Sequence, residues 1–171
     1  MRLHLLRHGE TDINAAGRLQ GSMDSTLTPL GRRQARELGI ASLAWHPAAV
    51  YSSPLSRARD VACEIESFTG LPVNIEPRIT EMHMGALEGV TIQQMRDCWP
   101  DLYQGWRRDA SSVTMPDGES LGDVQQRAMA AIDEFDQQHD SNDTVIAVTH
   151  NFTTIESLVI YALLMFFILQ A

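Results

Sequence analysis

Apolar residues fall in short runs along this chain, and most runs end abruptly in a polar cluster. The first, RLHLL over residues 2–6, has the length of a strand and is broken off by Arg7-His8-Gly9. Thr28-Pro29 then offers an N-cap with proline at the first helical position, where its missing N–H costs nothing. LGRRQARELGIASL carries that start on as a helix. AAVYS over residues 48–52 suits a second strand, and Ser53-Pro54 reads as the opening of a second helix, PLSRARDVACEIESF, stopped by Gly70 and Pro72. Residues 73–75 form a third short strand. Between Glu76 and Gly118 the pattern weakens, with one short helix from Thr91 to Cys98 that ends at Trp99-Pro100. Ser120, with Asp123 three positions on, resembles a capping box for a long helix to about His139. After the turn Asp140-Ser141-Asn142-Asp143, VIAVT reads as a buried strand and leads to His150. Strands alternating with helices predict an α/β fold in three layers, a mostly parallel central sheet flanked by helices.

Composition bounds what such a fold can do. At 171 residues and 44% hydrophobic, the chain is expected to form a single domain over 1–171. The net charge is −9, from 13 basic and 22 acidic residues, and every basic residue is arginine. Without lysine there is no Schiff-base chemistry, and no basic stripe is available for nucleic acid. Cys63 and Cys98 have no CxxC spacing and read as reduced thiols, packed as small core hydrophobes, in a cytoplasmic protein. The N-terminal apolar run is interrupted by Arg2, His4 and Arg7 and so lacks the form of a secretory signal.

LVIYALLMFFIL, residues 158–169, is too short for a transmembrane helix, which needs about 20 apolar residues, so no membrane partner is expected. As a core helix apolar all round it needs cover on every side, which predicts a homodimer or swapped assembly through it. The competing reading is a shortened chain of impaired stability. A monodisperse monomer in light scattering would refute the dimer.

The polar clusters share a position. Arg7-His8-Gly9, Ser52-Ser53 with Arg57, and Thr149-His150 each follow a predicted strand. In an open parallel sheet the carboxyl ends lie along one edge, where ligands bind. Two arginines and two histidines at that edge suit an anion, above all a phosphoryl group, whose oxygens match the guanidinium fork. Gly9 would let the backbone turn sharply and approach the ligand. Arg57 stands in the first turn of its helix, where a cation gains nothing from the helix dipole, so a functional reason for it is favoured. A local positive pocket in an acidic protein still focuses an anion.

The segments LLRHGETDIN, GRLQGSMDSTLTPLGRRQA, SSPLSRARDVA, EMHMGALEGVT, DGESLGDVQQR and VTHN, in this order over residues 3–151, resemble the histidine phosphatase superfamily, the phosphoglycerate mutase-like family. The resemblance implies that His8 is the nucleophile, that Arg7, Arg57 and His150 neutralise the phosphoryl oxygens, and that Glu81 protonates the leaving oxygen and then activates water. Glu76, Glu88 and Glu119 lie in the same weakly patterned region and could serve instead. Asn14 matches a phosphoryl or substrate contact, Asn151 is a further substrate-binding candidate, and Arg18 and Gln20 are pocket-rim candidates for binding substrate. The Gly9 carbonyl is the expected partner for the second ring nitrogen of His8.

No metal and no other cofactor is required by this scheme. The short stretch between Arg57 and Glu81 favours an open pocket and water as acceptor. That implies a phosphatase of a small phosphorylated substrate of the α-ribazole phosphate, phosphoserine or phosphosugar type. The alternatives are a phosphoglycerate mutase, or an inactive pseudoenzyme that binds a phosphorylated ligand. Three departures from the family stand out. Asn151-Phe152 follows His150 where glycine is usual, so Asn151 is expected to take the left-handed backbone while Phe152 narrows phosphate access. Asp60 stands where threonine is common, and the fold is expected to be shortened at its C-terminus. His83 reads as a loop residue, and His4 and His46 as structural.

Overall fold

The computed structural model describes residues 1–154. Four strands, β1 (Arg2–Arg7), β2 (Ala49–Ser52), β3 (Val73–Ile75) and β4 (Thr144–Thr149), form one parallel sheet in the order β1-β4-β2-β3. A short α1 (Asp12–Ala15) follows β1. β4, the last strand in sequence among the described residues, enters between β1 and β2. All six of its residues are buried, which is why VIAVT shows no alternation. Its side chains still alternate between faces. Ile146 and Val148 pack with Val50 against α2 (Pro29–Ser42) and α3 (Ser56–Thr69), while Ala147 packs against Ala131 and Phe135 of α6 (Leu121–Gln138) on the other face. The result is the expected three-layer α/β arrangement.

Helix starts follow the capping chemistry. Thr28 accepts from Gly31 N–H at α2, and Ser120 forms a reciprocal capping box with Asp123 at α6. The second helix departs from expectation. Its N-cap is Leu55, without a side-chain cap, so Ser53-Pro54 belongs to the turn before α3. The region from Glu76 to Gly118 is also more regular than its weak pattern suggests. Beyond α4 (Ile92–Cys98), Pro100 opens a further helix, α5 (Pro100–Arg108), where proline at N1 starts a helix and does not merely end the previous one. This region builds its own cluster from Met82, Met84, Leu87, Met95 and Met115, closed by Leu121 and Val124 of α6.

Close packing gives Gly9 a further reason: a Cβ there would lie 2.5 Å from the carbonyl oxygen of Gly31, so glycine is needed where the strand end packs on α2. Two further expectations are corrected. Cys63 and Cys98 are both exposed, not core residues. Asn151 opens a helical turn over residues 151–154 and has no positive φ. The apolar run 158–169, with its dimer and shortened-chain readings, lies outside the described residues. No helix among the described residues is long and apolar enough to cross a membrane.

Candidate active site

The strand register decides which side chains meet. Arg7 of β1 pairs with Thr149 of β4, and His8 N–H donates to the Thr149 carbonyl at 3.2 Å, so His8 and His150 leave adjacent strands together. Their ring centroids lie 5.1 Å apart. On the other side of β4, Ser53 N–H donates to the Val148 carbonyl at 3.0 Å, which sets Ser53 level with Thr149, one residue before His150.

His8 is buried, with Nδ1 2.7 Å from the Gly9 carbonyl oxygen, and that contact assigns the proton to Nδ1. Its Nε2 is left as the acceptor and faces Arg57, whose Nε–H donates to it at 3.2 Å. Burial lowers the His8 pKa to about 4, with Arg57 and Arg7 acting in the same direction and the Gly9 carbonyl against it. The imidazole is therefore neutral near pH 7.

Arg57 is fully buried, and burial lowers its pKa to about 10 against the support of Glu81, Asp24 and Glu88. Its Nη1 donates to the Met23 carbonyl at 2.8 Å and its Nη2 to that of Gly21 at 2.7 Å. Gln20 completes the mount. With its carboxamide oxygen facing the guanidinium, Oε1 accepts from Arg57 Nη1 at 2.7 Å and shares the one Nε–H with His8, at 2.6 Å from Nε, and Nε2 donates to Thr11 Oγ1 at 2.6 Å. The opposite orientation would set N–H groups against N–H groups. Gln20 is thus buried beside the arginine while still contributing to the cavity wall. Its amide aligns the guanidinium without cancelling its charge. Asp24 anchors the same loop to α3, accepting from Ser56 N–H at 3.0 Å and Ser56 Oγ–H at 2.6 Å.

Of the four carboxylates left open by the sequence, Glu81 lines the cavity beside His8. Glu76 is paired with Arg78, Glu119 with Arg127, and Glu88 accepts from Ser22. Glu81 is buried, accepting from Met82 N–H at 2.9 Å and from Asn151 N–H at 3.1 Å. Burial raises its pKa although those N–H groups and Arg57 oppose the shift. Its backbone is clamped by Arg127, which donates to the carbonyls of Arg78 and Thr80, each at 2.7 Å, and of Glu81 at 3.1 Å. Arg127 was not singled out from sequence, although it interrupts the apolar stripe of α6 between Val124 and Ala131. That interruption is the signal available for it.

His150 is fully buried, with Nε2 2.8 Å from Ser53 Oγ, and burial holds its pKa well below the usual histidine range. The cavity in front of His8 has a volume of about 160 Å³, and Arg7, Asn14, Arg18, Arg57, Glu81 and Asn151 contribute to its walls. Asn14 Oδ1 is engaged by Thr11 N–H at 3.4 Å, leaving its amide nitrogen as a donor. Arg18 does lie at the rim, donating to the Gly89 carbonyl at 2.7 Å. Phe152 forms part of the wall, held edge-on by Trp106 with centroids 5.6 Å apart. A second opening of about 340 Å³ continues past Arg7 and Arg18 to Glu10 and Gln34. Among the described residues no three His, Cys, Asp or Glu side chains are grouped as a metal would require.

The geometry offers a neutral imidazole nitrogen facing a cavity, flanked by guanidinium groups and a carboxyl biased toward protonation. A family model described as the histidine phosphatase superfamily (branch 1) matches residues 3–166. Phosphoserine phosphatase 1 of Hydrogenobacter thermophilus is 33% identical over 150 residues, covering 88% of this chain and 71% of that protein. The metal-independent phosphoserine phosphatase of Arabidopsis thaliana is 37% identical over 152 residues, covering 85% of this chain and 62% of that protein. A solved structure of mycobacterial glucosyl-3-phosphoglycerate phosphatase with VO3 superimposes with a TM-score of 0.82 at 33% identity, over 89% of this chain and 76% of that one.

Proposed function

The chain belongs to the histidine phosphatase superfamily, branch 1, and from that premise we propose that it is a phosphatase of small phosphorylated metabolites, acting through a phosphohistidine on His8. The observation that carries this reading is the mounting of His8: Nδ1 is tied to the Gly9 carbonyl at 2.7 Å and Nε2 stands beside Arg57 at the cavity. His8 Nε2 attacks phosphorus in line with the ester oxygen, the P–O bond to that oxygen breaks, and protonated Glu81 delivers its proton to the leaving group. Ionised Glu81 then takes a proton from water as the water attacks the phosphohistidine, releasing phosphate and restoring His8. Arg57, Arg7, Asn14 and His150 receive the charge on the equatorial oxygens. No step calls for a metal ion or an organic cofactor.

The polar continuation of the cavity past Arg18 and Gln34 suits the remainder of a small polar metabolite. Phosphoserine and phosphosugars, in keeping with the names of the relatives, and α-ribazole phosphate are the substrate types to test first. We place the enzyme in the cytoplasm, as one histidine phosphatase domain over residues 1–171. The test is phosphate release from para-nitrophenyl phosphate and from a panel of those metabolites and 3-phosphoglycerate, with chelator present and His8→Ala in parallel. Chelator-resistant release that is lost in the variant is the expected result. Equal rates in variant and wild type would overturn the role of His8. Conversion of 3-phosphoglycerate to its 2-isomer without phosphate release would replace the phosphatase by a mutase.

A further inference from the structure

One hydrogen bond behind the reacting histidine belongs to neither the phosphoryl contacts nor the acid. Ser53 is fully buried, and its Oγ lies 2.8 Å from His150 Nε2 while accepting from Leu55 N–H at 3.3 Å. The other ring nitrogen, His150 Nδ1, is buried and has no hydrogen-bond partner among the described residues. A buried polar atom left in that state calls for an explanation.

The two tautomers of His150 differ in how many groups they strand. If Nε2 carried the proton, Ser53 Oγ would accept from both Nε2–H and Leu55 N–H, its own hydrogen would have no assigned acceptor, and Nδ1 would be a second unmatched group. If Nδ1 carries the proton, Ser53 accepts from Leu55 and donates its hydroxyl hydrogen to Nε2, and only Nδ1–H is left over. That single leftover is a donor, on a ring 5.1 Å from the His8 ring. The ligand that the site takes next to His8 is, on the reading above, an anionic phosphoryl group, which needs donors.

We infer that Ser53 is a positioning residue that fixes His150 in the Nδ1–H form, so that a neutral imidazole donates a hydrogen bond to the bound phosphoryl group. An imidazole held this way adds a directed dipole without a second positive charge against Arg57. The inference rests on the phosphatase reading for the identity of the ligand, but the tautomer itself does not depend on turnover.

The experiment is long-range proton–nitrogen NMR of the full chain labelled with 15N-histidine, with the His150 signals assigned by their loss in His150→Asn. Free wild-type protein is expected to show Nδ1 protonated and Nε2 bare, and added inorganic phosphate to shift the Nδ1–H signal. Ser53→Ala is expected to move His150 toward the Nε2–H form and to weaken phosphate binding about tenfold or more, the scale of one hydrogen bond to a charged group. Ser53→Thr, which keeps the hydroxyl, is expected to retain the wild-type form. An Nε2–H form in the wild type, or an unchanged tautomer in Ser53→Ala, would overturn the assignment, and the wild-type spectrum decides the first point even where variants fold poorly. Phosphate that shifts the His8 signals and leaves His150 Nδ1–H unmoved would overturn the donor role. Failure of the phosphatase reading is seen separately, as absent turnover by wild-type protein whose tautomer is as inferred.

Discussion

His8 and Glu81 share a buried cavity, and burial moves them in opposite directions because it disfavours whichever form carries charge. For His8 that is the protonated form, so the proposed nucleophile is free above its value of about 4. For Glu81 it is the ionised form, so the proposed acid stays protonated to higher pH than an exposed glutamate. A plot of kcat/KM against pH is therefore expected to rise through about 4 and to fall through the elevated Glu81 value. Glu81→Gln is expected to remove the falling limb and to slow alkyl phosphate esters about a hundredfold or more. Para-nitrophenyl phosphate, whose leaving group needs no proton, should suffer less. A falling limb that persists in Glu81→Gln would assign the acid elsewhere. At this scale the sequence was informative for reactive groups, because histidine and arginine directly after apolar strands are conspicuous. It was not informative for Gln20 and Ser53, since a short polar side chain looks alike whether it faces solvent or supports a catalytic group.

The third helix shows how an element aims a residue. α3 begins without a side-chain cap of its own at Leu55, and its first N–H is satisfied from a distant loop by Asp24. The same loop holds Gly21 and Met23, whose carbonyls grip Arg57 in the first turn of that helix. Helix start and guanidinium position are thus coupled. Asp24→Ala is expected to cost about 1 kcal/mol of stability by denaturant unfolding, as for loss of an N-cap, and to lower kcat/KM by more than that stability loss accounts for. Unchanged kcat/KM would show that the Met23 and Gly21 carbonyls aim Arg57 unaided. Helices with local signals, α2 and α6, were legible from Thr28-Pro29 and from Ser120 with Asp123. α3 was expected too early because its cap comes from Asp24, 32 positions upstream of Ser56, where local pattern carries no information.

For the molecule as a whole, two neutral histidines in the core tie the fold to pH. Each has a folded-state pKa below its value in the unfolded chain, so the unfolded state binds protons first as pH falls. Their contribution is complete above about 6.5 and is lost toward the folded value, about 4 for His8. Glu81 acts in the opposite sense, since its raised pKa makes the folded state the better proton binder, but it is one group against two. Calorimetric Tm is expected to fall between pH 7 and about pH 5, and His8→Asn or His150→Asn to flatten that dependence. A Tm that stays level in wild type would mean that the imidazoles are not held neutral in the folded chain.

What the amino-acid order determined by itself is local: strands from short apolar runs, two of the main helix starts from their caps, a candidate phosphoryl site from Arg7, His8, Arg57 and His150 at or just beyond strand ends, and a family from six ordered motifs. Tertiary structure alone decided the rest. The insertion of β4 between β1 and β2 sets His8 beside His150 and brings Ser53 Oγ within 2.8 Å of the His150 ring. The folding of residues 76–118 over the sheet edge singles out Glu81 from Glu76, Glu88 and Glu119 by leaving those three with partners of their own. The physical reason is the same in each case. Caps and periodicity act over a few residues, whereas burial, ring tautomers and charge pairing depend on neighbours that only the packed chain supplies.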